Sequence, residues 1–331
     1  MSIQGLCIAP TTAKALLDNS SRLTTGDPTL DKVLCGGIPT RGITELSGGS
    51  ASGKTQLCLQ LCLTVQLPRS LGGLAGSAIY FSTENAFPSR RLFDMIDAFR
   101  MRYAPYRSTL WDPATHPWGE KVLLSHLPDL ETQEHLLLFQ LPVLLAKQEV
   151  KLVVIDSITA NYRSENLDAQ PQAYYYADRL QGLFRLAQRL KSLSEIYGVA
   201  IVCINQVSDL MLDFDHPTTI PRPIPTPWIH PHHPVIQRLG KQPALGLGWS
   251  HCVNIRIMLW RGDPLLSTAS THASSDPPAA FQSPRILYII FAPHLPSQAV
   301  EYIIAPTGLC GQSLQTLDRA SPTMMLPIVS Q

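Results

Sequence analysis

A short segment near the amino end combines glycines, a lysine and a threonine at a spacing that suits phosphate binding. Residues 46–55 read Leu-Ser-Gly-Gly-Ser-Ala-Ser-Gly-Lys-Thr and match the pattern G-x-x-x-x-G-K-[ST]. Glycines let backbone amides curl around phosphate oxygens, and a following helix presents its free N–H groups to the same anion. Lys54 would reach the β- and γ-phosphates, and the Thr55 hydroxyl would coordinate Mg²⁺. The predicted nucleotide-binding residues are Gly48, Gly49, Ser50, Ala51, Ser52, Gly53, Lys54 and Thr55.

An aspartate follows one of the most apolar runs of the chain. Leu152–Ile155 is apolar without alternation, as expected of a strand covered on both faces, and Asp156 stands at its end. An aspartate at such a strand end commonly orders Mg²⁺ through water in proteins with this loop. Asp156 could instead cap the turn that follows, although the upstream loop favours the metal. The sequence therefore predicts a Mg²⁺ site at Thr55 and Asp156.

Two further strand ends carry polar side chains that could act on a terminal phosphate. Glu84 follows a predicted strand at 78–82, and its carboxylate could polarise the attacking water. Asn205 and Gln206 end a predicted strand, and an amide there could sense the phosphate and pass its position to the next loop. An exposed loop carboxylate and amides that satisfy the backbone are the alternatives. The predicted catalytic residues are Lys54, Glu84 and Gln206.

Alternating strand and helix patterns must position these side chains. Helices are predicted at Lys54–Leu67, Ser89–Tyr103, Leu130–Leu141 and Gln172–Ile196. Strands are predicted at Gly42–Leu46, Ala78–Ser82, Val122–His126, Leu152–Ile155, Val199–Ile204, Cys252–Trp260, Arg285–Phe291 and Val300–Ile304. This alternation favours an α/β fold with a twisted, mainly parallel central sheet flanked by helices and an antiparallel C-terminal edge. The polar positions Asn254 and Arg256 alternate with apolar ones, which predicts a strand with one solvated face near that edge.

Composition excludes several classes of protein. The chain has 331 residues, of which 45% are apolar and 15% charged, so it can bury a core. The net charge of +1 does not suit a basic nucleic-acid coat. No apolar run approaches the roughly 18 residues of a membrane span, and we expect no membrane partner. Seven scattered cysteines without zinc spacing fit a reducing compartment, either the nucleus or the cytoplasm.

The chain divides into a core and less regular segments. We expect a linker over residues 1–23, a core over residues 24–311 and a flexible tail over residues 312–331. Insertions are predicted at about 103–119, 208–241 and 262–284, which are rich in proline or small polar residues. The second insertion holds three basic and three acidic residues, so it lacks the excess of cations that strong DNA binding requires.

The order of these motifs resembles the core of the RecA-type recombinases. An Asn-Lys-x-Asp motif for guanine recognition is absent, which argues against a GTPase. The resemblance to eukaryotic strand-exchange recombinases and their paralogues covers roughly Thr24 to Gly311. It is carried by Arg41-Gly-Ile-Thr-Glu-Leu, Ser52-Gly-Lys-Thr-Gln-Leu, Thr83-Glu-Asn-Ala-Phe-Pro-Ser-Arg-Arg-Leu, Leu152-Val-Val-Ile-Asp-Ser, Cys203-Ile-Asn-Gln-Val, Pro243-Ala-Leu-Gly-Leu-Gly-Trp and Ala292-Pro-His-Leu-Pro. The last two segments are not general to phosphate-loop proteins, which makes the resemblance specific.

The resemblance implies a nuclear, ATP- and Mg²⁺-binding subunit that mediates homologous-recombination repair of DNA double-strand breaks. It implies a heterodimer with the sister recombinase paralogue designated C, which assists recombinase filaments and Holliday-junction processing. Two loops contact DNA in this family, and the resemblance places the first at about residues 162–172 and the second at residues 208–241. It implies that Arg163, Arg238 and Lys241 contact DNA. Two other functions stay open: a self-sufficient DNA-dependent ATPase that forms filaments, and a scaffold in which ATP is structural. We expect at most slow ATP hydrolysis, because no arginine finger is identifiable.

Three departures from the family pattern favour one specific partner over self-polymerisation and weaken the expected DNA affinity. The small N-terminal helical domain of the family, which helps to bind DNA, does not fit in the residues that precede Thr24. Pro10 stands where the self-assembly motif has an anchoring phenylalanine, and losing a ring from a pocket removes a strong contact. Phe291 occupies the place of an aspartate that caps ATP in the next protomer.

Overall fold

A nine-stranded sheet organises the computed structural model, which describes residues 12, 14, 21–163, 172–209, 212–213, 222–223, 241–262 and 285–312. The strands are β1 (Arg22–Leu23), β2 (Ile38–Pro39), β3 (Ile43–Gly48), β4 (Ser77–Ser82), β5 (Val122–His126), β6 (Val150–Asp156), β7 (Ala200–Asn205), β8 (Val207–Asp209), β9 (Leu212–Asp213), β10 (Arg222–Pro223), β11 (Lys241–Pro243), β12 (Ile255–Arg261), β13 (Arg285–Phe291), β14 (Ala299–Ala305) and β15 (Gly308–Gly311). The helices are α1 (Pro28–Val33), α2 (Lys54–Thr64), α3 (Ser89–Tyr103), α4 (Leu130–His135), α5 (Leu141–Lys147), α6 (Ala160–Arg163), α7 (Gln172–Tyr197) and α8 (Gly246–Ser250). A π-helical stretch over Leu136–Gln140 joins α4 to α5.

The strand order confirms the predicted fold class. The large sheet runs β15-β14-β13-β12-β3-β7-β6-β4-β5. The six strands from β12 to β5 are parallel, and β13, β14 and β15 add an antiparallel edge. Since parallel strands end at the same edge of a sheet, the carboxyl ends of β3, β4, β6 and β7 come together there.

Helices cover both faces of the sheet and create two apolar clusters. In β6, Leu152 and Val154 join the cluster under α2 and α3, whereas Val153 and Ile155 join the cluster under α4, α5 and α7. The prediction that this strand is covered on both faces is therefore confirmed. Cys58 and Cys62 of α2 are fully buried among apolar neighbours, which fits a packing role. Within the described residues, no helix is long and apolar enough to cross a membrane.

The prediction that the strand carrying Arg256 has a solvated face is wrong. β12 lies between β3 and β13 in the interior of the sheet, and Arg256 is only 4% exposed. Its charge is tolerated there because Glu45 of β3 accepts a hydrogen bond from its Nε. A half-solvated strand is found instead at the β5 edge of the sheet, where Leu124 is 52% exposed.

The predicted insertion at 103–119 packs against α3 with its aromatic side chains. The Trp118 indole is buried edge-on against Phe99, with 5.9 Å between ring centroids, and its Nε1 donates to the carbonyl oxygen of Pro113 at 3.0 Å. Most of the predicted linker, the other two insertions and the predicted tail lie outside the described residues, and the domain boundaries stay predictions.

Candidate nucleotide site

The loop between β3 and α2 has the backbone shape that a phosphate-binding loop needs. Gly48 has φ +154°, and a Cβ there would lie 2.2 Å from the carbonyl oxygen of Leu259, so any side chain would displace the neighbouring strand. Gly53 precedes α2 with φ +103°. Ala51 is held in the left-handed region at φ 58°, which costs energy for a residue with a Cβ.

Lys54 begins α2 and points back into this loop. Its Nζ donates to the carbonyl oxygens of Gly48 and Gly49, each at 2.8 Å, and the residue is 9% exposed. Burial lowers the pKa of Lys54, and the Asp156 carboxylate partly opposes this shift. A buried ammonium beside a cavity of about 330 Å³ attracts an anion strongly, because little water screens it.

A hydroxyl and a carboxylate meet at the floor of the cavity. Thr55 Oγ1 donates to Asp156 Oδ2 at 3.0 Å, which joins the start of α2 to the end of β6. The Tyr80 hydroxyl donates to the same oxygen, and burial followed by the Asp156 charge raises the pKa of Tyr80. Thr55 and Asp156 offer the oxygen ligands that Mg²⁺ prefers. Among the described residues there is no group of three or more His, Cys, Asp and Glu side chains that could hold a metal, so phosphate and water oxygens would complete the shell.

Glu84 and Gln206 line the same cavity from two strand ends. Gln206 follows β7 and donates from Nε2 to Glu84 Oε2 at 3.3 Å. Glu84 follows β4, the neighbour of β6 in the sheet. The structure thus brings Lys54, Thr55 and Asp156 together with Glu84 and Gln206, although these residues are scattered over 153 positions from Lys54 to Gln206.

Tyr80 and Arg91 lie next to the site, although the sequence did not predict a role for either of them. Tyr80 lies inside a buried strand, where its type and spacing are those of a core residue, so no sequence signal separates it from packing. Arg91 of α3 donates from Nε to Gln56 Oε1 at 2.8 Å and from Nη2 to the carbonyl oxygen of Ala305 at 2.7 Å. Arg91 and Gln56 line a second cavity of about 410 Å³ beside the phosphate loop. The two cavities share Ala51, Lys54 and Thr55 in their linings.

The predicted DNA-contact residues lie apart from this cavity or outside the described side chains. Arg238 lies outside the described residues, and only the main chain of Arg163 is described, at the end of α6. Lys241 is exposed at the start of β11, where it is the register partner of Asp209 in an antiparallel pair. Phe291, at the end of β13, is 50% exposed. Pro10 lies outside the described residues.

Comparisons with known proteins agree with this fold. The family model described as Rad51 matches residues 18–215. The DNA repair protein XRCC3 of Bos taurus is 36% identical over 294 residues, which cover 89% of this chain and 76% of that protein. The XRCC3 protein of Mus musculus is 35% identical over 301 residues, covering 89% and 76%. The DNA repair protein rhp57 of Schizosaccharomyces pombe is 34% identical over 314 residues, covering 92% and 83%. The expected resemblance to a recombinase paralogue is therefore confirmed, and the chain belongs to the Rad51 family.

Proposed function

We propose that this chain is an ATP- and Mg²⁺-binding mediator subunit in the repair of DNA double-strand breaks by homologous recombination. The observation that carries the proposal is the single cavity around which the phosphate loop, the Thr55–Asp156 pair and the Glu84–Gln206 pair meet. The chain matches relatives over most of their length, and these relatives are named DNA repair proteins, which supports a role in DNA repair. The nucleus is the expected location for such a role.

Five polar residues of the cavity, Lys54, Thr55, Glu84, Asp156 and Gln206, take part in ATP binding and slow hydrolysis. Lys54 leaves the carbonyl oxygens of Gly48 and Gly49 and, with the loop amides, stabilises charge on the β- and γ-phosphates. Thr55 and Asp156 would hold Mg²⁺, which would supply further neutralisation of phosphate charge when bound. Glu84 orients the attacking water and accepts its proton, while the water oxygen bonds to the γ-phosphorus and the bond to the β–γ bridging oxygen breaks, which releases ADP and phosphate.

The described lining of the cavity explains why turnover should be slow. Among the described residues that line this cavity, Lys54 is the one cation, whereas Arg91 and Arg285 line the neighbouring cavity. An arginine near the transferred phosphate typically accelerates such reactions by about 10³- to 10⁵-fold. Gln206 changes its contact with Glu84 when a γ-phosphate enters, and in this way reports the nucleotide state to the segment that follows β7.

The proposed partner is the sister recombinase paralogue designated C, in a heterodimer that acts on recombinase filaments and branched DNA. Phe291 is 50% exposed, and the resemblance places it at the position of an aspartate that caps ATP in the next protomer, which supports a specialised interface rather than a homopolymer. Direct contact with DNA is expected to be weak, because the second insertion has balanced charges.

A calorimetric titration with ATP and Mg²⁺ tests the nucleotide site directly, on the full chain alone and on its complex with the sister paralogue. We expect saturable binding that Lys54→Ala abolishes and Lys54→Arg weakens. Lys151→Ala is the matched control, because it removes another lysine whose Nζ donates to a carbonyl oxygen, that of Tyr197 at 3.0 Å, away from both cavities. Absence of ATP uptake by both preparations would refute the proposal.

ATP turnover and native mass separate the three candidate functions. A one-to-one heterodimer with slow turnover supports the mediator subunit. Strong stimulation of turnover by single-stranded DNA in the lone chain, together with homopolymers, would support a self-sufficient ATPase. Retained ATP binding with no turnover in any assembly would favour a scaffold that nucleotide stabilises by mass action.

A further inference from the structure

A buried ion pair crosses the centre of the sheet beside the nucleotide site. The side chain of Glu45 is 0% exposed and that of Arg256 is 4% exposed. The two residues are register partners in the parallel β3–β12 pair, and Arg256 Nε donates to Glu45 Oε2. A buried ion pair adds little stability compared with well-packed apolar residues of similar volume. The presence of the pair is therefore better explained by the structural elements that it connects than by a gain in stability.

On one side, the pair is connected to the residue that follows β7. Asn205 donates from Nδ2 to the second carboxylate oxygen of Glu45. Asn205 Oδ1 accepts a hydrogen bond from Thr159 Oγ1 at 3.2 Å, and Thr159 Oγ1 accepts one from the backbone N–H of Gln206 at 3.0 Å. Glu45, Asn205 and Thr159 are fully buried, so water does not compete for these contacts. Gln206 is thus connected to Glu45 through three consecutive hydrogen bonds.

On the other side, the pair is connected to α8. Arg256 Nη2 donates to Ser250 Oγ at 3.1 Å, and Ser250 Oγ donates to the carbonyl oxygen of Gly246 at 2.8 Å. The residues just before α8 also contact Gln206 directly, because the N–H of Ala244 donates to the carbonyl oxygen of Gln206 at 2.9 Å. Residues 241–250 therefore contact Gln206 by two routes, one through the backbone and one through the buried pair.

We propose that Glu45 and Arg256 are positioning residues that couple Gln206 to residues 241–250, where the second predicted DNA-contacting loop ends. The inference rests on the proposed function, because it requires a γ-phosphate that moves Gln206. Each carboxylate oxygen of Glu45 takes one side-chain donor, from Asn205 and from Arg256. A displacement of Asn205 is therefore passed on through the pair, since no solvent lies between its members to absorb it.

Hydrogen–deuterium exchange of the full chain tests this coupling, with Mg²⁺ alone and with Mg²⁺ plus a non-hydrolysable ATP analogue. Ser250→Ala breaks the last contact without leaving a buried carboxylate unpaired, and Ser250→Thr keeps the hydroxyl. Glu45→Gln removes the charge from the centre of the pair. Ser194→Ala is the matched control, because Ser194 Oγ accepts the N–H of Gly42 at 2.9 Å but lies outside this set of contacts.

In the unchanged chain, we expect the analogue to slow exchange at residues 48–55 and to change it at residues 241–250. Ser250→Ala should keep the first response and the Kd for the analogue. The second response should fall about fivefold at residues 246–250 but remain at residues 241–244, where Ala244 still contacts Gln206 through the backbone. Ser250→Thr and Ser194→Ala should keep both responses. A merely structural role would instead lower the thermal midpoint and leave both responses intact.

Two results would overturn the inference. One is an unchanged response at residues 241–250 in Ser250→Ala and in folded Glu45→Gln. The other is a response at residues 48–55 in the unchanged chain with none at 241–250. A failure of nucleotide binding is recognised separately, since residues 48–55 would then show no response, and it would overturn the proposed function together with this inference.

Discussion

The Tyr80 hydroxyl offers a sharp test of how Asp156 is held at the predicted magnesium site. Tyr80 and Thr55 both donate to Asp156 Oδ2. Tyr80→Phe removes one donor and keeps the ring, which packs edge-on against Phe87 with 4.9 Å between centroids. If the Thr55 hydroxyl oxygen binds Mg²⁺, its hydrogen bond to Asp156 weakens, and Tyr80 becomes the main donor to Asp156. The change should therefore weaken binding of ATP with Mg²⁺ more than binding of ATP alone.

The size of the effect follows from the burial of the two partners. A hydrogen bond to a charged group contributes about 1.5–3 kcal/mol. Tyr80 is 2% exposed, so water cannot replace its hydroxyl, but Asp156 is only partly buried and can recruit one water. The lower end of the range therefore applies. A loss of about 1.4 kcal/mol corresponds to a tenfold increase in Kd, in line with the roughly 10- to 100-fold effects of groups that orient metal ligands.

Titrations with and without Mg²⁺ measure this effect. Tyr103→Phe is the matched control, because it removes another buried phenol hydroxyl in the same apolar cluster but away from Asp156. We expect its Kd to match that of the unchanged chain under both conditions. If Tyr80→Phe binds ATP with Mg²⁺ as tightly as the unchanged chain while its thermal midpoint shows a folded protein, the reasoning about Asp156 is wrong.

Three other predictions concern turnover, strain and pH. Glu84→Gln should keep ATP binding but reduce turnover about 100-fold or more, because the amide cannot accept the proton of water; equal turnover in a phosphate-release assay would contradict its role. Ala51→Gly should raise the free energy of unfolding by about 0.5–1 kcal/mol, since glycine relieves the left-handed backbone at φ 58°; a lower urea midpoint would argue against strain. Burial, followed by the charge of Lys121, lowers the pKa of His116 from 6.5 to about 4. Because the unfolded chain then binds the extra proton, stability should be highest above pH 6.5 and fall as the pH drops towards 4. His116→Gln should flatten this decline in urea unfolding between those two pH values, and an unchanged pH profile would exclude His116 as its source.

The phosphate loop and the fold class were predictable because both depend on local pattern. The loop needs glycines, Lys54 and Thr55 within a few positions, between a strand and a helix, and nearest neighbours along the chain encode that context. Alternating strands and helices then imply parallel strands whose carboxyl ends share one edge. Asp156, Glu84 and Gln206 could be placed near the loop for this reason, before any distance was known.

The tertiary structure alone decided which side chains meet across that edge. The order β3-β7-β6-β4 sets Gln206 beside Glu84, and the register of β3 with β12 sets Glu45 opposite Arg256. Strand order and register depend on pairings between residues far apart in the chain, and the pattern of a single strand does not carry them. For this reason the sequence predicted a solvated face for a strand that buries an ion pair, and gave no sign that Tyr80 holds Asp156.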